Sequence, residues 1–501
     1  MKSQRNNIKI IFGLKLKQMR QDKNLSLSAL SEQSGLSVSY INEIESGKKY
    51  PKADKIAVLA EALGVSYDKL VSLKLTRNLA PLGDFLNSKI LDQLPLDHYG
   101  IDINKIIILM ANAPLQLSAL VTTLIEMAKS SELSQNNFSR TAIRTYKEFN
   151  ENYFEDLEKE VNDFAKTIKL NNSLSVKYND LKKILNEKFK VEIDENRLSN
   201  YSELSEVRGV YIPGKSRKLL INNKLTDSQK TFLAGKEIAY QHLNVSDRSN
   251  VYSSTSVDSF DQLLNNLRAS YFSTALMLNK ENFIRDLKKF FANKNWDSKT
   301  LGGLIKKYNA TPEMFFQRMT NLASTFFGLN GYFFLRFTTK ENSNDYDLNK
   351  ELRLNTFENP GGYLTTEHYC RRWISINVLK QLDREITKKK KFDGLIIGAQ
   401  VSEFYNSKDR YFSISIAGRN KLFEGINTSV TLGFLINDEF KKRINFWNDQ
   451  KIPLKIVNDT CEKCVISDCK ERVASPIAAE QNIKYTNTKA ALEKLIDEIR
   501  K

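Results

Sequence analysis

The stretch Leu25–Pro51, LSLSALSEQSGLSVSYINEIESGKKYP, decides how the amino-terminal part of this chain is read. Two short segments with apolar residues at helical spacing flank a turn at Ser34-Gly35-Leu36. The second, from Ser37 to Glu45, sets Val38, Ile41 and Ile44 on the face expected to be buried and leaves Ser37, Ser39, Tyr40, Asn42 and Glu43 off it. Two short helices, the second carrying small and polar residues outward, make the arrangement that lays a recognition helix in a DNA major groove. Gly35 suits the turn because glycine adopts positive φ freely, and Ser37 is a good N-cap. Gly47 followed by Lys48 and Lys49 ends the helix where a phosphate would lie. The residues expected to meet DNA are Ser28, Ser37, Ser39, Tyr40, Asn42, Lys48 and Lys49.

The LS start at Leu25-Ser26, the ALSEQSGLS core, the IxxIExG run from Ile41 to Gly47 and ALGVS from Ala62 to Ser66 resemble the Cro/repressor-like (XRE) class of helix-turn-helix domain, over residues 1–75. The resemblance implies a buried pair between Arg20 and Glu45, and double-stranded operator DNA as partner. A homodimer is expected from the symmetry of most operators, since no coiled-coil heptad is sustained.

Length and composition support more than one domain: 501 residues with 41% apolar content can form about two to four cores. Lys and Arg number 76 against 59 acidic residues, giving +17 and favouring a polyanionic partner. Residues 1–75 hold 13 basic and 7 acidic residues, so most of the excess lies further on. A second anionic ligand is one reading of that excess, and solvated lysines are the plainer one. The lysine-broken start MKSQRNNIKIIFGLKLKQMR is not a secretory signal, and Ile106–Val121 is interrupted by Asn112, Pro114 and Gln116. A cytoplasmic protein with no membrane partner is therefore expected, and its four cysteines are not a disulfide framework.

Further along, Leu75–Leu94 reads as a linker. Ile101 to Lys169 reads as helical, with Leu117, Leu120, Leu124 and Met127 recurring at three and four. A second amphipathic run extends from Thr141 to Phe164. A helix is expected at Leu181–Phe189, and two strands, VRGVYIP and GKSRKLLINN, joined at Pro213-Gly214. The helix that follows, N-capped near Thr226 and containing FLAGKEIAYQHL, resembles with its hairpin the minimal zinc-peptidase (ImmA/IrrE-like) domain, where this helix carries HExxH.

Here that motif reads Lys236-Glu237-Ile238-Ala239-Tyr240. Zinc needs two neutral imidazoles four apart and a Glu as general base, and an ammonium has no lone pair to give a metal. The third ligand position of the resemblance falls on Arg268. A regulatory peptidase is thus the weaker alternative, and a non-enzyme is expected. Lys236 and Arg268 are expected to flank Glu237 in a salt-bridged network that replaces the metal. His242 is expected to be a surface or satisfied core residue.

ENFIRDLKKFFANKNW, LGGLIKKYNATPEMFFQRMTNL and the preceding YFSTALML resemble the short-chain fatty-acyl regulator family over most of residues 200–480. The carrying motif is TPEMFFQRMTNL, a Thr-capped helix with Pro312 at its first position and a QR-x-T segment. The resemblance implies an XRE domain joined to a degenerate peptidase-like domain and a cysteine-bearing domain, with acyl-CoA thioesters as effector ligands in short-chain fatty-acid metabolism.

From Tyr332 the texture is strand-rich in GYFFLRFTT, FDGLIIGAQVSEF, RYFSISIAG and TSVTLGFLI. All four cysteines fall here: Cys370 in HYCRRW, and Cys461, Cys464 and Cys469 in CEKCVISDC. Four thiolates satisfy a 4Fe-4S cluster or a tetrahedral zinc, and three close cysteines with a remote fourth favour the cluster. A redox or oxygen sensor without an acyl-CoA ligand is the alternative. His368 is expected to stand near the metal or on a strand. Arg371, Arg372 and Trp373 are candidates to receive a phosphate-bearing nucleotide, or else form a salt-bridged strand.

The expected architecture is multidomain: an all-α helix-turn-helix domain (1–75), a helical connector (76–169), an α+β degenerate zinc-peptidase-like domain (170–330), an α+β strand-rich four-cysteine domain (331–480) and a terminal helix (481–501).

Overall fold

The computed structural model describes residues 2–72, 135–168, 176–252, 259–354, 368–389, 392–405 and 407–500. The linker at Leu75–Leu94 and the Leu117–Met127 periodicity lie outside them. The chain divides into two units, Met1–Ile143 with Asp258–Leu263, and Arg144–Val257 with Leu264–Lys501. The segments 170–330 and 331–480 thus fall almost wholly in one unit.

The first unit holds α1 (Lys2–Asp22), α2 (Leu27–Ser34), α3 (Val38–Glu45), α4 (Ala53–Ala62) and α5 (Tyr67–Val71). Serines start three of these helices: Ser26, Ser37 and Ser66 each accept the backbone N–H three residues on. Gly35 ends α2 at φ +67°. The core gathers Phe12, Leu16, Leu30, Ile41, Ile44, Ile56, Leu59, Leu63 and Leu70. Gly13 lets α1 lie directly on the carbonyls of Ile44 and Glu45, where any Cβ would collide.

In the second unit the amphipathic run is two helices, α6 (Gln135–Phe149), which begins in the first unit, and α7 (Glu155–Thr167). They part where Glu151 and Asn152 take positive φ. Then come α8 (Tyr178–Phe189), β1 (Val191–Asp194), β2 (Gly209–Ile212), β3 (Arg217–Ile221) and α9 (Asp227–His242). The expected hairpin is β2–β3, and the unanticipated β1 joins β3 in parallel, giving sheet order β1-β3-β2. Thr226 and Gln229 form a full capping box at the start of α9. Leu157, Phe164, Leu181, Leu219, Ile238 and Phe272 fill the core around them.

The helices α10 (Phe260–Met277), α11 (Lys280–Phe291), α12 (Ser298–Lys307) and α13 (Pro312–Phe327) lead into β4 (Tyr332–Lys340) and β5 (Asp347–Leu354). After α14 (Ile374–Lys388) come β6 (Ile396–Phe404), β7 (Arg410–Arg419), β8 (Ile426–Leu435), α15 (Asp438–Arg443), β9 (Leu454–Val457) and α16 (Ile477–Arg500). The sheet order is β5-β4-β8-β7-β6-β9, antiparallel except for β6 and β9. Period-two alternation sends Phe334, Ile414, Ile416, Leu432 and Phe434 to one side, with Phe283, Phe315 and Phe316. Phe333, Leu335 and Phe337 face the other way, with Val378, Leu379 and Leu382 of α14. HYCRRW is therefore not a strand, since Trp373 is the N-cap of α14.

The QR-x-T arginine has a structural task. Arg318 of α13 is fully buried and donates to both oxygens of Glu158 on α7, at 2.5 and 3.0 Å. It also donates to the Leu278 carbonyl at 3.0 Å, while the Tyr271 hydroxyl of α10 donates to Glu158 at 2.6 Å. One ion pair thus fixes the register of three helices, and removing either partner would strand a buried charge at a cost of about 3–5 kcal/mol.

Candidate nucleic-acid interface and a cationic cluster

The recognition geometry starts from the buried pair between α1 and the end of α3. Arg20 donates from Nε and Nη2 to the two Glu45 oxygens at 2.7 and 2.8 Å, and from Nη1 to the Leu25 carbonyl at 2.8 Å. This fork ties α1 to the last turn of α3 and to the entry of α2. The outward face of α3 is thereby held at a fixed angle. Ser37, Ser39 and Asn42 are exposed on it, as are Ser28 on α2 and Lys48 and Lys49 just beyond α3. Ser37 Oγ is engaged as cap, accepting the Tyr40 N–H at 3.2 Å. Tyr40 is half-buried with the Lys49 ammonium 4.9 Å from its ring centre, and Lys49 also lies 3.5 Å from Glu43. Val38 departs from expectation: it is 41% exposed, while Ile41 and Ile44 are wholly buried. The spacing of three aligns all three residues on paper, but the first turn of α3 projects past the core.

The helix-turn-helix family HTH_3 matches residues 16–70. Over 61 residues the chain is 39% identical to the control protein C.BamHI of Bacillus amyloliquefaciens, spanning 75% of that protein and 12% of this one. The chain belongs to the XRE-type helix-turn-helix transcriptional regulators. Its amino-terminal domain is of the helix-turn-helix type. The HTH-type transcriptional repressor RghR of Bacillus subtilis is also 39% identical over 61 residues, and the match spans about half its length, 45%. A Mycobacterium tuberculosis transcriptional regulator of known structure is 15% identical, with TM-score 0.47 over 67% of this chain and 93% of that one.

In the second unit of this regulator, the substituted motif on α9 is a closed hydrogen-bonded knot. Glu237 is fully buried and accepts from Arg248 Nη1 and Nη2 at 2.8 and 2.9 Å, from Gln241 at 2.7 Å and from the Tyr252 hydroxyl. The Arg248 guanidinium lies over Tyr211 and Tyr240, 4.1 and 4.4 Å from their ring centres. A cation does hold Glu237, but it is not Arg268, which is half-exposed and pairs with Asp156 at 3.3 Å. Lys236 donates to Asn266. His242 is partly buried, 3.1 Å from Glu160, with its ring tilted against Phe164 at 4.9 Å between centres.

Lys236 opens onto a cluster that no single segment of the sequence announces. Burial holds its ammonium down to about 7, and Arg208, Lys350 and Arg248 push the same way. Lys147 on α6 is likewise held down to about 7, by burial and then by Lys350. Glu313 at the start of α13 sits 3.0 Å from Lys350 and 3.7 Å from Arg336. Burial alone would raise its carboxyl, yet Lys350 and Arg336 outweigh that and bring it to about 2. The Arg336 Nε is buried without a hydrogen-bond partner. Among the described residues, the cations Lys147, Arg208, Lys236, Arg248, Arg336 and Lys350 therefore share their surroundings with the carboxylates Glu237 and Glu313.

The cysteines are partly brought together. Tyr369 bridges Thr460, the Cys370 N–H donates to Asp459 at 3.0 Å and the Cys461 N–H to His368 at 2.8 Å. Burial pushes the Cys370 thiol up to about 11, and Cys461 and Cys464 lie near enough to add to that. Cys469 is half-buried. Arg472 spreads its guanidinium over the carbonyls of Cys461, Cys464 and Ile466 at 3.0, 3.0 and 2.6 Å. His368 Nδ1 is engaged with Glu462 at 2.7 Å. Among the described residues no three His, Cys, Asp or Glu side chains are gathered as a metal would need.

Arg371, Arg372 and Trp373 do not form an open nucleotide receiver. Arg371 and Trp373 are buried, and donate to the carbonyls of Asn344 at 2.8 Å and Asn458 at 2.9 Å. Arg372 donates to the Ile456 carbonyl at 3.2 Å. Their donors brace the loops around α14. Among the described residues no helix is long and apolar enough to cross a membrane.

Proposed function

We propose that this DNA-binding regulator responds to an acyl-CoA thioester, whose phosphates enter the half-buried cationic cluster around Lys236 in the second unit. The observation that carries the reading is the imbalance at Lys236: a lysine held down to about 7 by burial and by three neighbouring cations. Such a site is under strain without an anion, and a polyphosphate would relieve it through charge-assisted hydrogen bonds. This set replaces Arg371, Arg372 and Trp373 as the ligand site, and the closed knot at Glu237 accords with a receptor and not a peptidase. Effector binding would shift the placement of the recognition helices in a homodimer, and so the operator affinity.

The test is fluorescence anisotropy of the full chain on DNA from its own upstream region, titrated with acyl-CoA thioesters, free CoA and acyl-pantetheine. A response to acyl-CoA that disappears with acyl-pantetheine, and weakens in Lys236→Met and Lys350→Met, supports the reading. Indifference to every thioester removes it. A second reading, a 4Fe-4S or zinc signal, has the nearness of Cys370, Cys461 and Cys464 in its favour. Iron, sulfide and zinc content after anaerobic purification, with DNA affinity before and after air exposure, tests it.

A further inference from the structure

The exposed side chain of Val38 is an apolar spot on a surface otherwise suited to polar readout. Valine is a β-branched residue with no special fitness for a helical first turn, and Ser37 already supplies the cap. The fold does not bury it: Ile41 and Ile44 fill the core from the same helix, while Val38 stays 41% exposed. Its neighbours on the outward face are Asn42, four residues on, and Ser39, both exposed. The first turn of a recognition helix is the part that reaches base edges, and the apolar feature in the major groove is the thymine 5-methyl group.

We propose that Val38 is a specificity residue that reads a thymine methyl by apolar contact, beside a base read by Asn42. Four residues of helix advance about 6 Å, and stacked bases are about 3.4 Å apart, so the thymine lies within about two base pairs of the Asn42 contact. The valine excludes water from the methyl and offers no hydrogen bond to the polar edges of a G·C pair. Discrimination therefore comes from the methyl group itself, which uracil lacks.

In vitro selection with the full chain supplies the operator, and each of its thymines is then replaced singly by deoxyuridine. Wild-type binding should weaken about five- to tenfold at one thymine, repeated once in a palindromic site. Val38→Ser should bind the thymine and uracil operators equally, while Val38→Thr, which keeps one γ-methyl, should retain part of the preference. A thermal melt of Val38→Ser checks that the exposed substitution leaves the fold intact. Wild-type indifference to uracil at every position overturns the assignment. So does an equal uracil penalty in Val38→Ser, or a selected operator with no preferred thymine.

Discussion

Raising the pH from 7 to 9 should stabilise the second unit through Lys236. Its folded-state ammonium is held near 7 against an ordinary value of 10.5. In that window the unfolded chain keeps the proton that the folded chain gives up, so the unfolded state binds more protons and stability rises with pH. The penalty is present in full below about 7 and is gone once the pH exceeds the unfolded value. Integrated between pH 7 and 9, one such group contributes about 2 kcal/mol. The protein's three tryptophans, Trp296, Trp373 and Trp447, all lie in the second unit, so their fluorescence in urea follows that unit. Lys147 also titrates there, and it remains in Lys236→Met. Wild type should therefore gain about 2 kcal/mol more than Lys236→Met between pH 7 and 9. Parallel pH profiles for the two proteins would show that Lys236 stays charged at neutral pH and that its surroundings do not hold it down.

Because anion binding restores the protons of Lys236 and Lys147, acyl-CoA affinity measured by calorimetry should fall as the pH rises above 7, by up to about tenfold per pH unit for each lysine. Arg318→Met should lower the urea stability of the second unit by about 3–5 kcal/mol, and Glu158→Leu in the same chain should recover most of it, because the unpaired charge is what costs. In the first unit, Asn42→Ala should lose about 1–3 kcal/mol on the selected operator and little on random DNA, whereas Lys48→Ala should weaken both and reduce the salt slope by about one. Equal losses on the two DNAs for Asn42→Ala would exclude base reading by that side chain.

The helix-turn-helix was legible because its signals are local. Ser26, Ser37, Gly35 and Gly47 act within a few residues of where they stand, and only Val38 was misplaced. The capping box at Thr226 and the Pro312 start were legible for the same reason. Arg248 was not, because its partner Glu237 is reached from an irregular loop with no periodic signal. Nor was the cationic cluster, whose lysines and arginines are spread from Lys147 to Lys350 and each look like a solvated charge alone. The helix α14 was hidden by Ile374, Ile376 and Val378, which alternate at period two as a strand would, until Leu379 and Leu382 turn the pattern helical.

The Glu158–Arg318 pair also has a bearing on how the chain is made. The two residues are 160 positions apart, so the carboxylate leaves the ribosome long before its guanidinium exists. At about 5–20 residues per second the wait is roughly 8–30 s, during which Glu158 of α7 lacks the guanidinium that pairs with it. Helices α7 and α10 cannot settle into their final packing until α13 has emerged. The helix-turn-helix, built from neighbours along the chain, is free to fold at once. A nascent chain of this protein therefore completes its helix-turn-helix well before the second unit can finish packing.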